Sequence, residues 1–133
     1  MSEEKKIKVV LLEPGKLART AEIGTSIEDL QNAVDGLIEP FYPFEEQVCI
    51  VCNDEGKING MLPNRSVKNK DGVMVDFIFG PAFICDCRGE SFDSLSDEQI
   101  ARYTKMFRYP EHLARLNGKL IGIPFNPHRE HER

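Results

Sequence analysis

The sequence predicts an α+β fold: a mostly antiparallel sheet, one helix after a first hairpin, and a C-terminal pair of helices packed on that sheet. Three observations carry this. Short apolar runs of strand length, rich in Val, Ile and Phe, alternate with Gly, Pro, Asn and Asp turn signals through the first two thirds of the chain. Two segments instead open on a capping serine and continue with apolar residues at helical spacing. The 133 residues form one domain, 1–133, because domains cluster near ~100–150 residues. Residues 126–133 are expected to be a flexible tail.

The elements follow in order. "IKVVLLEPG" is dense in β-branched residues and leucine and stops at Pro14-Gly15, which reads as a buried strand closed by a turn. "KLARTAEIG" returns as the second strand of a hairpin. "TSIEDLQNAV" opens a helix with Ser26 as N-cap and Asp29 three residues on. Ile27, Leu30, Ala33 and Val34 line its inner face, and Asp35-Gly36 ends it.

"LIEPFYPFEE" places Pro40 and Pro43 around Phe41 and Tyr42. Proline removes a ladder donor, so this segment belongs at a sheet edge. "QVCIVC" is a strand, "NDEG" a turn, and "KINGMLPNRSV" is expected to pair back on "QVCIVC". "VMVDFIF" follows the Asp71-Gly72 turn, and "AFICDC" follows the Gly80-Pro81 break. Ser96 then caps "SDEQIARYTKMF", with Gln99 completing a capping box and Ile100, Tyr103 and Phe107 facing inward. Pro110 is read as the start of a second short helix, with Leu113 and Leu116 inward and Asn117-Gly118 as its C-cap. "KLIGIPFNPHREHER" is left as a last strand before the tail.

Composition bounds the function. Apolar residues at 41% and charged residues at 29% describe an ordinary globular chain. No run approaches the ~20 apolar residues of a membrane helix, and the charged N-terminus is not that of a secretory signal. A cytoplasmic location in a bacterial cell is expected. Seventeen basic against twenty-two acidic side chains, a net charge of −5, argue against duplex nucleic acid, whose binding needs cations against phosphates.

"KVVLLEPGK", "EIGTSIEDLQNAVDGLIEPFYPFEE", "VCNDEGKINGMLPNR", "AFIC" and "SLSDEQIARYTKMF", in that order, resemble the family called domain of unknown function 3846 over about residues 7–108. The resemblance implies a small accessory protein of a bacteriophage or other mobile element. It supplies no activity, cofactor or catalytic residue. The second cysteine of "CIVC" and the "CDC" stretch depart from the usual pattern of that family.

Cys49, Cys52, Cys85 and Cys87 give CxxC and CxC, and four thiolates can hold zinc. With Ile50 and Val51 as spacers, however, the first pair sits in a strand and points to opposite faces. Buried reduced cysteines are therefore expected, with no metal and no cofactor. His128 and His131 fall in the expected tail, and His112 is expected to be exposed. No serine stands in a nucleophile elbow and no glycine pattern matches a phosphate loop.

The site candidate is "NDEGKINGMLPNR". Asn53, Asn59 and Asn64 offer amides, and Arg65 offers a planar fork for a carboxylate or phosphate. Glu39 and Tyr42 are expected to form the facing wall. The same residue types also build ordinary turns. The leading expectation is non-enzymatic binding of a host component, a nucleotide-like small molecule or a host protein, in counter-defence. Two others stand beside it: a nucleotide-directed hydrolase or transferase with Glu39 or Glu55 as base, and a self-associating interaction protein whose "FYPFEEQVCIV" segment seeds a homodimer.

Overall fold

A computed structural model describes residues 5–130. The elements are β1 Lys6–Leu12, β2 Arg19–Gly24, α1 Ile27–Val34, β3 Ile38–Phe41, β4 Val48–Asn53, β5 Pro63–Lys68, β6 Met74–Phe79, β7 Ala82–Asp86, α2 Asp97–Met106, β8 Glu111–Leu116, β9 Lys119–Pro124 and α3 Pro127–Glu130. Five strands form one antiparallel sheet in the order β2-β1-β7-β4-β3, while β5-β6 and β8-β9 are separate two-stranded sheets. The class is α+β with antiparallel pairing throughout.

The central strands are continuously apolar because both faces of the sheet are covered. One face carries Ile7, Val9, Leu11, Cys49, Val51, Phe83 and Cys85, packed under Leu30 and Val34 of α1. The other carries Val10, Leu12, Val48, Ile50, Ala82 and Ile84, covered by Tyr103 and Phe107 at the α2 end and by Val67 and Ile78 of the β5–β6 hairpin. The period of two holds in every strand; what is missing is a wet face that would make it visible. Each such side chain stabilises the fold by about 1.5–3 kcal/mol through burial.

Local signals set the helices. Ser26 Oγ accepts from Asp29 N at 3.1 Å, and Asp35 ends α1 in the left-handed region at φ 62°. Ser96 and Gln99 form a complete capping box on α2. Ile27 is a correction: it is 54% exposed at the first turn of α1, so the inner face begins at Leu30.

Residues 110–124 overturn the expected second helix. They form the β8–β9 hairpin, with Leu113 opposite Gly122 and Leu116 opposite Lys119. Asn117 (φ 52°) and Gly118 (φ 83°) are its two-residue turn. Positive φ at both central positions is the type I′ geometry that Asn-Gly favours, because its twist matches that of the flanking strands. "KINGMLPNRSV" is also corrected. Its second half, β5, pairs with β6, and β4 lies between β3 and β7. Within "FYPFEEQVCIV", Val48–Val51 are fully buried in β4, between β3 and β7. Edge strand β3 carries Pro40, as the proline argument requires. The expected tail begins with the helical turn α3, and His131 lies outside the described residues.

Candidate functional site

Residues Asn53–Arg65 run from the end of β4 into β5, and three of the expected ligand contacts among them turn inward. Asn53 is 7% exposed. Its Nδ2 donates to the carbonyls of Val34 and Asp35, both at 3.0 Å, and its Oδ1 accepts from Glu55 N at 2.8 Å. It therefore satisfies the C-terminal carbonyls of α1 and fixes the turn after β4. Asn64 is fully buried and donates to Leu12 O at 3.0 Å and Gly80 O at 2.8 Å.

Arg65 is fully buried as well. Its Nε donates to Phe107 O at 2.7 Å, one Nη donates to Glu13 O and Asn64 Oδ1, and the other donates to Lys16 O and Arg108 O. A guanidinium has five N–H donors, and all five are engaged. Burial lowers its pKa to about 10, opposed by the nearby carboxylates of Glu111 and Glu13, so it remains charged at neutral pH. Its fork has no donor left for a ligand, and the expectation of a carboxylate or phosphate contact is corrected on that ground.

The other candidates are scattered. Glu39 and Asn53 line a cavity of about 240 Å³ together with Glu55, Lys57, Cys52 and Asp76. Lys57 and Asp76 of its lining pair at 2.8 Å. Asn59 is exposed at the loop tip, and Tyr42 is 64% exposed. Neither Tyr42, Asn59, Asn64 nor Arg65 lines that cavity.

A larger cavity, about 610 Å³, opens between α2, the segment after β3 and the turn of the β5–β6 hairpin. One part of its wall carries the rings of Phe44, Tyr103 and Phe107, beside the charged side chains of Glu45, Glu46 and Arg102. Phe44 lies 4.7 Å from Tyr103 and 6.3 Å from Phe107 between ring centroids, the second pair nearly perpendicular. Lys68 and Lys70 stand on the hairpin side, and Ser66 and Glu111 on the β5–β8 side. Lys70 makes only a loose, exposed pair with Glu45 at 3.8 Å.

One network stiffens the aromatic wall. Glu46 accepts from Tyr103 Oη, from Arg102 Nη1 and, at 3.1 Å, from Gln99 Nε2. The Tyr103 hydrogen bond, followed by those of Gln99 and Arg102, holds the Glu46 carboxyl below the usual carboxylate range. Burial, then the Glu46 hydrogen bond, pushes the Tyr103 phenol well up. At neutral pH the pair is thus a carboxylate and a neutral phenol. Neither is poised near neutrality to transfer a proton.

The cysteines sit elsewhere. Cys49 and Cys85 face each other across β4 and β7 with sulfurs 3.8 Å apart, while Cys52 packs on the opposite face. Burial and the neighbouring Glu39 raise the Cys52 thiol to about 11, and burial raises Cys87 to about 11. These are protonated thiols at neutral pH. Among the described residues, no three His, Cys, Asp or Glu side chains are grouped to hold a metal.

Sequence reasoning did not find the larger cavity. Tyr103 and Phe107 were legible as the inner stripe of a helix, but their cavity partners come from three other segments. No linear spacing links Phe44, Lys68 and Glu111. Reading 110–116 as a helix also removed Glu111 from its place beside β5.

The model of the family domain of unknown function 3846 matches residues 7–108, and the chain belongs to that family. The match takes in the five-stranded sheet, both longer helices and the β5–β6 hairpin, and ends before β8. No curated protein and no solved structure matches the chain. Among the described residues, no helix is long and apolar enough to cross a membrane.

Proposed function

We propose that this protein binds a small planar anion of nucleotide type in the cavity between α2 and the β5–β6 turn. The observation that carries the reading is the pairing of an aromatic wall, Phe44, Tyr103 and Phe107, with the cations Lys68 and Lys70 across one space of about 610 Å³. Ligand pockets fall in the range of roughly 300–1,000 Å³. Stacking a base on an aromatic side chain contributes about 1–3 kcal/mol, and lysines supply point charges for a phosphate.

Binding rather than turnover is favoured by the protonation states of the wall. Tyr103 donates a hydrogen bond to Glu46, and Glu46 is held ionised by three donors, so the network positions rings instead of moving protons. An accessory role in a bacterial host, against a defence that signals through nucleotides, is the context we propose for such binding. It is supported by what the family resemblance implies, an accessory protein of a phage or other mobile element.

Calorimetric titration of the purified chain with nucleoside monophosphates tests the reading. Micromolar binding that weakens about tenfold or more in the double variant Lys68→Gln/Lys70→Gln is expected, since removing a charge-assisted contact costs about 1.5–3 kcal/mol. Heats of dilution alone across the panel would remove the proposal.

A further inference from the structure

We infer that the inner end of this cavity reads a guanine-type base edge, a ring N–H and an exocyclic amine beside a carbonyl, through Glu111 and Ser66. The inference rests on the nucleotide reading of the cavity.

Ser66 is 5% exposed and lines the cavity, yet its Oγ has no hydrogen-bond partner. Buried hydroxyls are ordinarily paired. A cavity-lining exception marks a place where a ligand atom completes the pairing. Glu111 stands beside it. Its Oε1 accepts from Ser66 N at 2.9 Å, and the carboxylate has no other hydrogen bond among the described residues.

Gly122, on β9, holds this pair in place. A Cβ there would lie 2.0 Å from Glu111 Oε1 and 3.1 Å from Ser66 Oγ. Only the bare backbone of Gly122 lets the carboxylate lie against β9 and alongside the hydroxyl. Leu113 and Gly122 are opposite each other in the register, so the hairpin positions Glu111 two residues away from that contact on the same face.

The rest of the lining orders the ligand. The acceptor end, Glu111 with Ser66, and the cationic side, Lys68 and Lys70, both border a space walled by rings. A nucleotide carries the matching parts: a base edge, a ring and a phosphate. Among the common bases, guanine alone offers a ring N–H and an exocyclic amine side by side, which a carboxylate accepts as a bidentate pair. Its neighbouring carbonyl can accept from Ser66 Oγ. Adenine turns a ring acceptor toward the same carboxylate, and lone pair against lone pair is repulsive.

The test is titration of the full chain with GMP, IMP and AMP. IMP keeps the ring N–H and carbonyl but lacks the exocyclic amine. GMP is expected to bind about tenfold tighter than IMP and about a hundredfold tighter than AMP, the scale on which unmade hydrogen bonds discriminate. Glu111→Gln, which can still accept from Ser66 N, is expected to collapse the GMP-to-AMP ratio to within about threefold. Ser66→Ala is expected to weaken GMP and IMP alike. Equal affinities of the unaltered protein for GMP and AMP would overturn the inference while leaving the nucleotide reading intact. So would a ratio that survives Glu111→Gln. No binding of any of the three would remove both. The comparison of GMP with AMP needs no variant, so it decides the matter even if Glu111→Gln fails to fold.

Discussion

The Nε of Arg65 donates to the carbonyl of Phe107 at 2.7 Å, joining residues forty-two positions apart in the chain. Phe107 is the C-cap of α2, and the same guanidinium also reaches the carbonyls of Arg108, Glu13 and Lys16. A buried cation is thus neutralised without a hydrogen-bonded carboxylate. It rests on carbonyl dipoles, including those at the negative end of a helix. The contact closes the β1–β2 turn, β5 and the end of α2 into one unit.

Arg65→Met is therefore expected to destabilise the fold by about 3 kcal/mol or more, because it leaves several buried carbonyls without donors. Arg65→Lys should recover only part of that, since an ammonium carries three donors and no planar fork. Equilibrium urea unfolding measures both. A loss below about 1 kcal/mol for Arg65→Met would mean that water replaces the guanidinium at little cost.

Asn53→Ala removes both amide donors from the Val34 and Asp35 carbonyls and the acceptor from Glu55 N. A loss of about 1–3 kcal/mol is expected, with α1 fraying from its C-terminal end. Amide hydrogen exchange at residues 31–36 is the readout. Unchanged protection there would show that the loop, not the helix, depends on this side chain.

The Glu46 carboxyl is held below its ordinary value of 4.5, first by Tyr103. A depressed carboxylate contributes stability that is present above its unfolded pKa and lost as pH falls through its folded one. The contribution therefore fades from about pH 4.5 downward. Tyr103→Phe removes the largest cause, so the variant should be less stable at neutral pH, by about 1 kcal/mol, and should lose less on acidification. Melting curves of both proteins between pH 7 and pH 3 check this. Parallel pH profiles would assign the acid sensitivity to other carboxylates.

Gly118 has φ 83° and Asn117 φ 52°. Gly118→Ala places a side chain in the left-handed region and should destabilise the β8–β9 hairpin by about 1–2 kcal/mol. Because Glu111 depends on that hairpin for its position, nucleotide selectivity should weaken with it. Backbone chemical shifts of residues 111–124 report the strand content directly. Helical shifts there in the unaltered protein would contradict the hairpin.

Much of the fold was legible because it is local. Ser26 and Ser96 cap the helices they were expected to cap, Pro40 marks an edge strand, and Gly80-Pro81 separates two strands. The β8–β9 hairpin was legible too, since Asn-Gly flanked by strand residues is a strong hairpin signal. Reading Leu113 and Leu116 at helical spacing obscured it.

The sequence by itself determined the α+β class, the two longer helices, most strand positions before residue 107, and the family, since each depends on side-chain period, turn chemistry or ordered motifs. Tertiary structure alone decided the destinations of the polar side chains. Asn53, Asn64 and Arg65 carry the same donors whether they face solvent or the interior, and only the carbonyls of Val34, Leu12 and Phe107 arriving from distant segments consume them. The cavity of Phe44, Lys68, Tyr103 and Glu111 likewise exists only once α2, β5 and β8 have packed. Hydrogen-bonding capacity is written in a residue, but its availability is set by what folds against it.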